Sequence, residues 1–272
     1  LHSVLAVERS GYYADFGALG DVAATLTRAF RYAGDYSVFR ERRHGRTPAG
    51  LPGHRFLGYL QNHDQIGNRA TGERSSALMT PERLMIAAAV VLCSPFVPML
   101  FQGEEWGAST PFQYFTDHDD PELGHAVSQG RRKEFAAFGW DPGEVPDPQA
   151  PKTFERSRLQ WSELNQPEHA RLLEWHRALV ALRRSHPELT DGSLDRVEVA
   201  FDERAGWLYF RRGSIAVAFN LAQAERVADL GFAGDVSLVL ASSSAITVDA
   251  ARVSLPPDSV AVVQLAPSSK KD

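Results

Sequence analysis

The chain has 272 residues and a mass of 30.0 kDa, with 43% apolar, 10% aromatic and 23% charged side chains. These values exclude wholesale disorder and collagen-like or low-complexity architectures. A net charge of −5, a pI near 6.0 and the lack of a long Lys/Arg run argue against nucleic acid or an anionic membrane surface as partner. The length allows one large domain or two smaller ones with a substantial core. The single cysteine, Cys93, has no internal disulfide partner and lies in an apolar run, which suits a reducing, cytoplasmic setting. No apolar stretch reaches the roughly 18 to 20 residues of a membrane span.

The chain opens on Leu1 with no basic segment leading into an apolar run, so no signal peptide is visible. It reads as trimmed, or as beginning inside a larger protein. Gly20-Asp21 starts a helical pattern, with Asp21 as its cap and Val22, Leu26, Ala29 and Phe30 on one face. A second short helix is predicted over Tyr36 to Arg43, before the turn between Pro48 and Gly53. Phe56 to Leu60 suits a buried strand that ends in the polar cluster Gln61-Asn62-His63-Asp64-Gln65. Thr80 and Pro81 cap and open a helix through about Leu92. A second buried run, Phe96 to Phe101, again ends in polar residues, Gln102-Gly103-Glu104-Glu105. Strand, helix, strand with polar residues at each strand's carboxyl end is the pattern of parallel α/β units, whose chemistry sits in the loops after those ends.

The segment from Trp106 to about Arg158 is aromatic and irregular, with one helix near Pro121 to Phe138. Pro167 to Arg184 is the strongest helix of the chain. Leu172, Leu173, Trp175, Leu179, Val180 and Leu182 form its apolar face, His176 falls to a capped or solvated face, and Arg183 and Arg184 lie at the favourable dipole end. Beyond His186-Pro187 the texture changes to short β-type runs: Val197 to Phe201, Trp207 to Phe210, Ile215 to Phe219, Val236 to Leu240 and Val260 to Leu265. These predict an antiparallel β domain over 187–272, after a first domain over 1–186. The tail Ser268 to Asp272 is expected to fray.

The densest polar cluster is Gln61 to Arg69. A His beside an Asp at a strand end can hydrogen-bond sugar hydroxyls while the carboxylate stabilises a cationic sugar centre. The alternative reading is an Asx-rich turn that caps the next element. The His residues are scattered and no Cys pair exists, so neither a metal-ligand set nor another cofactor is expected. No Gly-rich phosphate loop is present.

Phe56-Leu-Gly-Tyr-Leu-Gln-Asn-His-Asp64 resembles the strand-seven motif of the α-amylase-like glycoside hydrolases (family 13). Phe101-Gln-Gly-Glu-Glu-Trp-Gly107 is similar to their strand-eight motif. Asn62 to Arg69, Gly11-Tyr-Tyr-Ala-Asp-Phe-Gly17 and Thr110 to Asp117 resemble the trehalose-releasing members of that clan more than its branching enzymes. The resemblance implies an α/β fold: the carboxyl-terminal part of a (β/α)8 barrel, with strands seven and eight and their helices, followed by an antiparallel β-sandwich. It implies retaining hydrolysis of the α-1,4 bond next to the terminal trehalose of maltooligosyl trehalose or a related α-1,4-glucan; the alternatives are another α-amylase-like enzyme such as a branching enzyme, or a non-catalytic glucan-binding fragment. Asp64 matches the clan's transition-state stabiliser and His63 its sugar-hydroxyl ligand, with Gln65 and Arg69 as neighbours. Tyr12, Phe39 and Arg40 fall where the trehalose end is held, a role that suits aromatic faces and a rigid fork of donors. For Phe39 the residues alone equally suit an apolar helix face.

The same resemblance requires a nucleophilic Asp and a general-acid Glu on earlier strands, which these residues do not contain. A complete barrel takes about 250 residues, against 186 before the β domain. The expected partner is therefore the missing amino-terminal part of the same protein, and the isolated chain is expected to be inactive. An incomplete barrel also exposes strand edges and an apolar face, which favours aggregation or oligomerisation. Glu104 and Glu105 are read as hydrogen-bonding groups at the barrel rim. Asp117, His118, Asp119 and Asp120 are read as a solvated loop that caps the helix at Pro121 rather than as a cation site. Trp106, Phe112, Tyr114 and Phe115 suit either a sugar-stacking wall or a loop core.

Overall fold

The computed structural model describes residues 1–137, 141 and 143–267. The expected frayed tail, and Phe138 at the end of one predicted helix, lie outside them. Two compact units are present. One holds Leu1–Leu60, Pro81–Met99 and the chain from Glu174 onward; the other holds Gln61–Thr80 and Leu100–Leu173.

In the first unit, α1 (His2–Leu5) leads to α2 (Leu19–Arg28). Asp21 lies inside the first turn of α2 rather than at its cap, and its carboxylate accepts the N–H groups of Gly17 and Ala18, each at 3.0 Å. The first helical amides, those of Leu19 and Gly20, donate to Glu203, 3.1 and 3.2 Å away. Val22 and Leu26 are buried as expected, whereas Phe30 lies beyond the helix and is 45% exposed.

Residues 36–43 are not helical. They belong to an antiparallel hairpin of β1 (Ala33–Ser37) and β2 (Arg42–Gly45). Its register brings Gly45 against Ala33, where an added Cβ at Gly45 would meet the Tyr32 carbonyl oxygen at 2.1 Å. Tyr36, Val38 and Phe39 are all substantially exposed. They have no apolar surface to justify a helical face, and β-propensity with a side-chain anchor from Asp15 decides the conformation.

β3 (Leu57–Gly58) and β4 (Val97–Pro98) pair in parallel through Val97 N–H to the Phe56 carbonyl (3.0 Å) and Met99 N–H to the Gly58 carbonyl (2.9 Å). Glycine at 58 keeps this approach open, because a Cβ there would press on Phe96 Cβ at 3.1 Å. In chain order β3 is followed by α3 (His63–Gly67), α4 (Ser75–Leu78) and α5 (Pro81–Cys93), with α5 leading into β4. Every residue of α5 from 84 to 93 is buried, the sign of a helix enclosed on all sides. One side meets β7 (Ile215–Asn220) and β12 (Ser259–Pro267) of the β domain.

That domain is antiparallel throughout. A five-stranded sheet runs β5 (Val197–Asp202), β6 (Trp207–Arg212), β7, β12, β9 (Gly234–Ala241). A three-stranded sheet runs β10 (Thr247–Asp249), β11 (Arg252–Leu255), β8 (Arg226–Asp229). The last three strands carry too few apolar residues for a sequence pattern. Only Ala228, Val253 and Leu255 of β8 and β11 point inward, onto Ala216, Ala218, Ala261 and Val263 of the larger sheet. Covered by the small sheet on one face and α5 on the other, β7 is buried at all six positions, which explains its unbroken apolar run.

A half-buried arginine, Arg183, and a buried one, Arg212, close the carboxyl end of α5. Arg183 donates to the carbonyls of Leu92, Ser94 and Phe96, each at 2.8 Å. Arg212 donates to those of Cys93 (3.1 Å), Ser94 and Leu189 (both 2.8 Å), and to that of Asp191. Burial, and then the neighbouring Arg183, lower the Arg212 guanidinium to about 10. The negative end of the helix and these carbonyls offset the desolvation of both charges. Burial pushes the Cys93 thiol up to about 12, so it is held as a small apolar group.

In the second unit, α6 (Pro121–Ala137) and α7 (Pro151–Arg156) interrupt otherwise irregular chain. α8 (Pro167–Ser185) matches its predicted span. Leu172, Trp175, Leu179 and Leu182 are buried. Val180 is exposed at 38%, and His176, expected on a capped or solvated face, is buried.

Candidate active site

The polar cluster after β3 begins with a buried glutamine. The Gln61 side-chain oxygen accepts the Ser75 N–H at 2.9 Å, which holds the start of α4 against the start of the loop. Asn62 then caps α3, its side-chain oxygen 2.9 Å from the Gln65 N–H. The Asx-cap reading is thus correct for Asn62. The same cap places His63 and Asp64 in the first helical turn, where an acidic charge is favoured.

His63 and Asp64 extend into solvent, their side chains 69% and 74% exposed, with Nε2 and Oδ1 3.3 Å apart. Gln65 is half-buried, and its side-chain oxygen has no partner among the described residues. Arg69 pairs with Glu73 at 3.4 Å. The far end of α3 is held by Arg131, which donates to the Gly67 carbonyl at 2.6 Å while lying over the rings of Tyr114 and Phe135.

The chain after β4 forms a polar floor of its own. Gly103 and Gly107, with φ of 83° and 68°, bracket the short 3-10 turn Glu104–Trp106. A Cβ on Gly103 would fall 2.8 Å from that of Ala108. Glu104 is buried and accepts the Phe101 N–H at 3.4 Å. Burial pushes its carboxyl up to about 7. The Phe101 N–H, the Gln61 amide and Arg74 act in the opposite direction, and Glu105 adds to the rise.

Arg74 is itself buried. It donates to the carbonyls of Thr110 and Gln102, each at 2.6 Å, under the ring of Phe101. Glu163 accepts from the Trp106 indole and the Ser109 N–H, both at 3.3 Å, and from the Ser109 hydroxyl. Trp106 is therefore loop core. Phe112, Phe115 and Phe154 continue edge-to-face toward a partly exposed surface. Asp120 accepts the Glu122 N–H at 2.9 Å and so begins α6. Among the described residues no cluster of three or more His, Cys, Asp or Glu is placed to hold a metal ion.

In the first unit, Tyr12 and Phe39 meet edge to face, ring centroids 6.0 Å apart, with both rings well exposed. Arg40 is beside them at the tip of the β1–β2 hairpin. Phe39 therefore sits on a turn rather than a helix face. Asp15 makes this arrangement: it accepts the Ser37 hydroxyl and, at 3.0 Å, the Phe39 N–H. Hydrogen bonds from Ser37 and then Tyr32 hold its carboxyl below the usual carboxylate range. Sequence reasoning passed over Asp15 although it stands within the Gly11 to Gly17 motif. Gln61 was quoted with its cluster but given no separate role. Arg74 carried no signal, because its partners are backbone carbonyls.

Comparison with known proteins gives consistent relatives. Residues 192–262 match a family described as a domain of unknown function, DUF3459. Malto-oligosyltrehalose trehalohydrolase of Brevibacterium helvolum is 49% identical over 97% of this chain and 45% of its own length. The enzyme of the same name from Mycobacterium tuberculosis is 48% identical over 81% of the chain and 38% of its own. The chain thus spans less than half the length of the curated relatives it matches. A crystal structure from Salmonella typhimurium, provisionally named an α-amylase, superposes with a TM-score of 0.83 at 33% identity, over 97% of this chain and 44% of that one. The fold is that of the carboxyl-terminal part of an α-amylase-like enzyme, a parallel barrel segment followed by an antiparallel β domain.

Proposed function

The chain is related by sequence to the malto-oligosyltrehalose trehalohydrolases among the α-amylase-like glycoside hydrolases, and from that premise we propose that it supplies the transition-state-stabilising part of a trehalose-releasing active site. The reaction is retaining hydrolysis of the α-1,4 bond next to the terminal trehalose of maltooligosyl trehalose. The observation that carries this reading is the capped turn Asn62–Arg69. It presents a solvent-facing Asp64 beside His63 directly after a strand of a parallel pair.

In this reading the Asp64 carboxylate faces the oxocarbenium-like sugar, where charge complementarity grows only as the transition state forms. His63 donates to a sugar hydroxyl and thereby orients the ring. Gln65 and Arg69, the latter held by Glu73, flank this pair on the same turn. Tyr12 and Phe39 give the trehalose end an aromatic wall, and Arg40 adds hydrogen bonds there. The nucleophile and general acid, which a retaining enzyme holds about 5 to 5.5 Å apart, come from additional polypeptide.

Two features support a place for that polypeptide. Among the described residues β3 pairs only with β4. Beside it lies an apolar cavity of about 520 Å³, lined by Leu26, Phe30, Phe56, Tyr59 and Phe96 among others. The first domain of the reading is 1–186 and the second 187–272, and the setting is the cytoplasm. Among the described residues no helix is long and apolar enough to cross a membrane.

The test is a graft. This chain replaces the matching segment of a full-length relative, and products from maltooligosyl trehalose and from plain maltooligosaccharide are compared. Trehalose released from the first substrate supports the proposal. Transfer to new branch points instead assigns the chain to a branching enzyme.

A further inference from the structure

We infer that Asp15 is a positioning residue for the trehalose end of the substrate, because its carboxylate ties the Gly11–Tyr13 turn to the tip of the β1–β2 hairpin. The inference deepens the active-site reading above and rests on it for its consequence in binding. The tether itself stands on geometry alone.

The tip is a four-residue turn, 38–41, closed by the Glu41 N–H on the Val38 carbonyl at 3.3 Å. Phe39 and Arg40 are its two central residues. Glu41 leaves the turn with a φ of 51°, a left-handed conformation that is uncommon for a non-glycine residue. Tyr36, Val38 and Phe39 are all exposed, so burial does little to hold the tip in place.

Asp15 supplies the hold. Its Oδ1 accepts the Phe39 N–H at 3.0 Å, while Oδ2 lies 3.3 Å from the same nitrogen and accepts the Ser37 hydroxyl. Ser37 is fully buried, and its oxygen in turn accepts the Arg40 N–H at 3.0 Å. A hydroxyl that donates to one group and accepts from another has its orientation fixed. Both central residues of the turn are therefore anchored to Asp15, Phe39 directly and Arg40 through Ser37. Hydrogen bonds to a carboxylate are among the stronger ones.

The other end of the tether is just as local. Asp15 follows Tyr12 by three residues, directly after the 3-10 turn Gly11–Tyr13. One side chain thus sets the spacing between Tyr12 and Phe39, whose rings meet edge to face at 6.0 Å. Aromatic faces stack on the apolar faces of a sugar, and a guanidinium fork meets its hydroxyls. Ordering all three groups before substrate arrives removes part of the entropy cost of binding.

The first readout is amide hydrogen exchange on the full chain. The Phe39 and Arg40 amides are expected to exchange about tenfold faster in Asp15→Ala. Asp15→Asn keeps an acceptor for the Phe39 N–H without the charge, and should retain most of its protection. Ser37→Ala should release Arg40 and spare Phe39. Unchanged exchange of both amides in Asp15→Ala overturns the tether, as does a Phe39 amide that exchanges as fast in Asp15→Asn as in Asp15→Ala.

The grafted enzyme supplies the second readout. Asp15→Ala raises KM for maltooligosyl trehalose about tenfold with a smaller change in kcat, and Asp15→Asn recovers most of the loss. An unmoved KM in Asp15→Ala overturns the positioning role. Should that variant fail to fold, Ser37→Ala decides by the same measure, since it cuts the link to Arg40 and leaves the carboxylate in place. Phe39→Ala separates the two claims: an unmoved KM there sinks the trehalose-end reading, while the exchange rates still judge the tether from Asp15.

Discussion

The two units bury polar groups in opposite ways. Around α5 and the β domain, half-buried Arg183 and buried Arg212 are satisfied by fixed backbone carbonyls at a helix end. In the unit that carries Asp64, buried Gln61, Arg74, Glu104 and Glu163 meet side chains and loop backbone, and atoms of Gln65, Arg74, Thr110 and Gln113 stay without partners among the described residues. The first arrangement anchors a helix end. The second leaves several buried polar atoms unsatisfied in the unit that also carries the exposed Asp64 carboxylate, although Arg28 Nε shows that the first unit is not free of such atoms.

Substitutions can break this contrast. The largest effect is expected at Asp64. In the grafted enzyme Asp64→Asn should cost turnover about 10² to 10³-fold or more, with a melting temperature unchanged because the side chain is solvent-facing. Arg212→Met should do the reverse. It strands the carbonyls of Cys93, Leu189 and Asp191, while Arg183 still serves that of Ser94, and should cost about 3 kcal/mol of unfolding free energy, measured by urea denaturation, while leaving glucan affinity of the folded protein alone.

Glu104→Gln sharpens the comparison through pH. The folded-state pKa of Glu104 is raised, so its contribution is fully present below the unfolded-state value and is lost as pH rises through about 7. The Gln variant should match the parent at about pH 4 and exceed it by about 1–3 kcal/mol at pH 8. Equal stability at both values contradicts the burial argument. The smallest effect is expected for Phe39→Ala. It removes one exposed edge-to-face contact worth about 0.5 to 1 kcal/mol but should weaken binding of trehalose-capped substrate more than of plain maltooligosaccharide.

Much of the fold was legible because burial leaves a periodic trace. The continuous apolar stretch of α5 and the central β strands read correctly, whereas the runs at β3 and β4, read as buried strands, pair over only two residues each and leave Leu57 59% and Val97 42% exposed. β8, β10 and β11 did not, since short strands of a small outer sheet place only one or two side chains inward. The predicted helix at Tyr36 to Arg43 failed because its geometry is set from Asp15, about twenty residues away in sequence. At the candidate site, Asp64 and His63 were visible as an unusual polar cluster. The Gln61–Ser75 link was not, because hydrogen bonds between segments distant in sequence leave no spacing to recognise. His176 was misplaced for a related reason: a single polar residue on a helix gives no sign of which surface will cover it.

The most direct measurement is trehalose release from maltooligosyl trehalose by three purified proteins: this chain alone, the graft into a full-length relative, and the graft carrying Asp64→Asn. Release by the graft only, lost with Asp64→Asn, is the predicted result. Release by the chain alone, or undiminished release after Asp64→Asn, contradicts the assignment of Asp64 as one carboxylate of a site completed by other polypeptide.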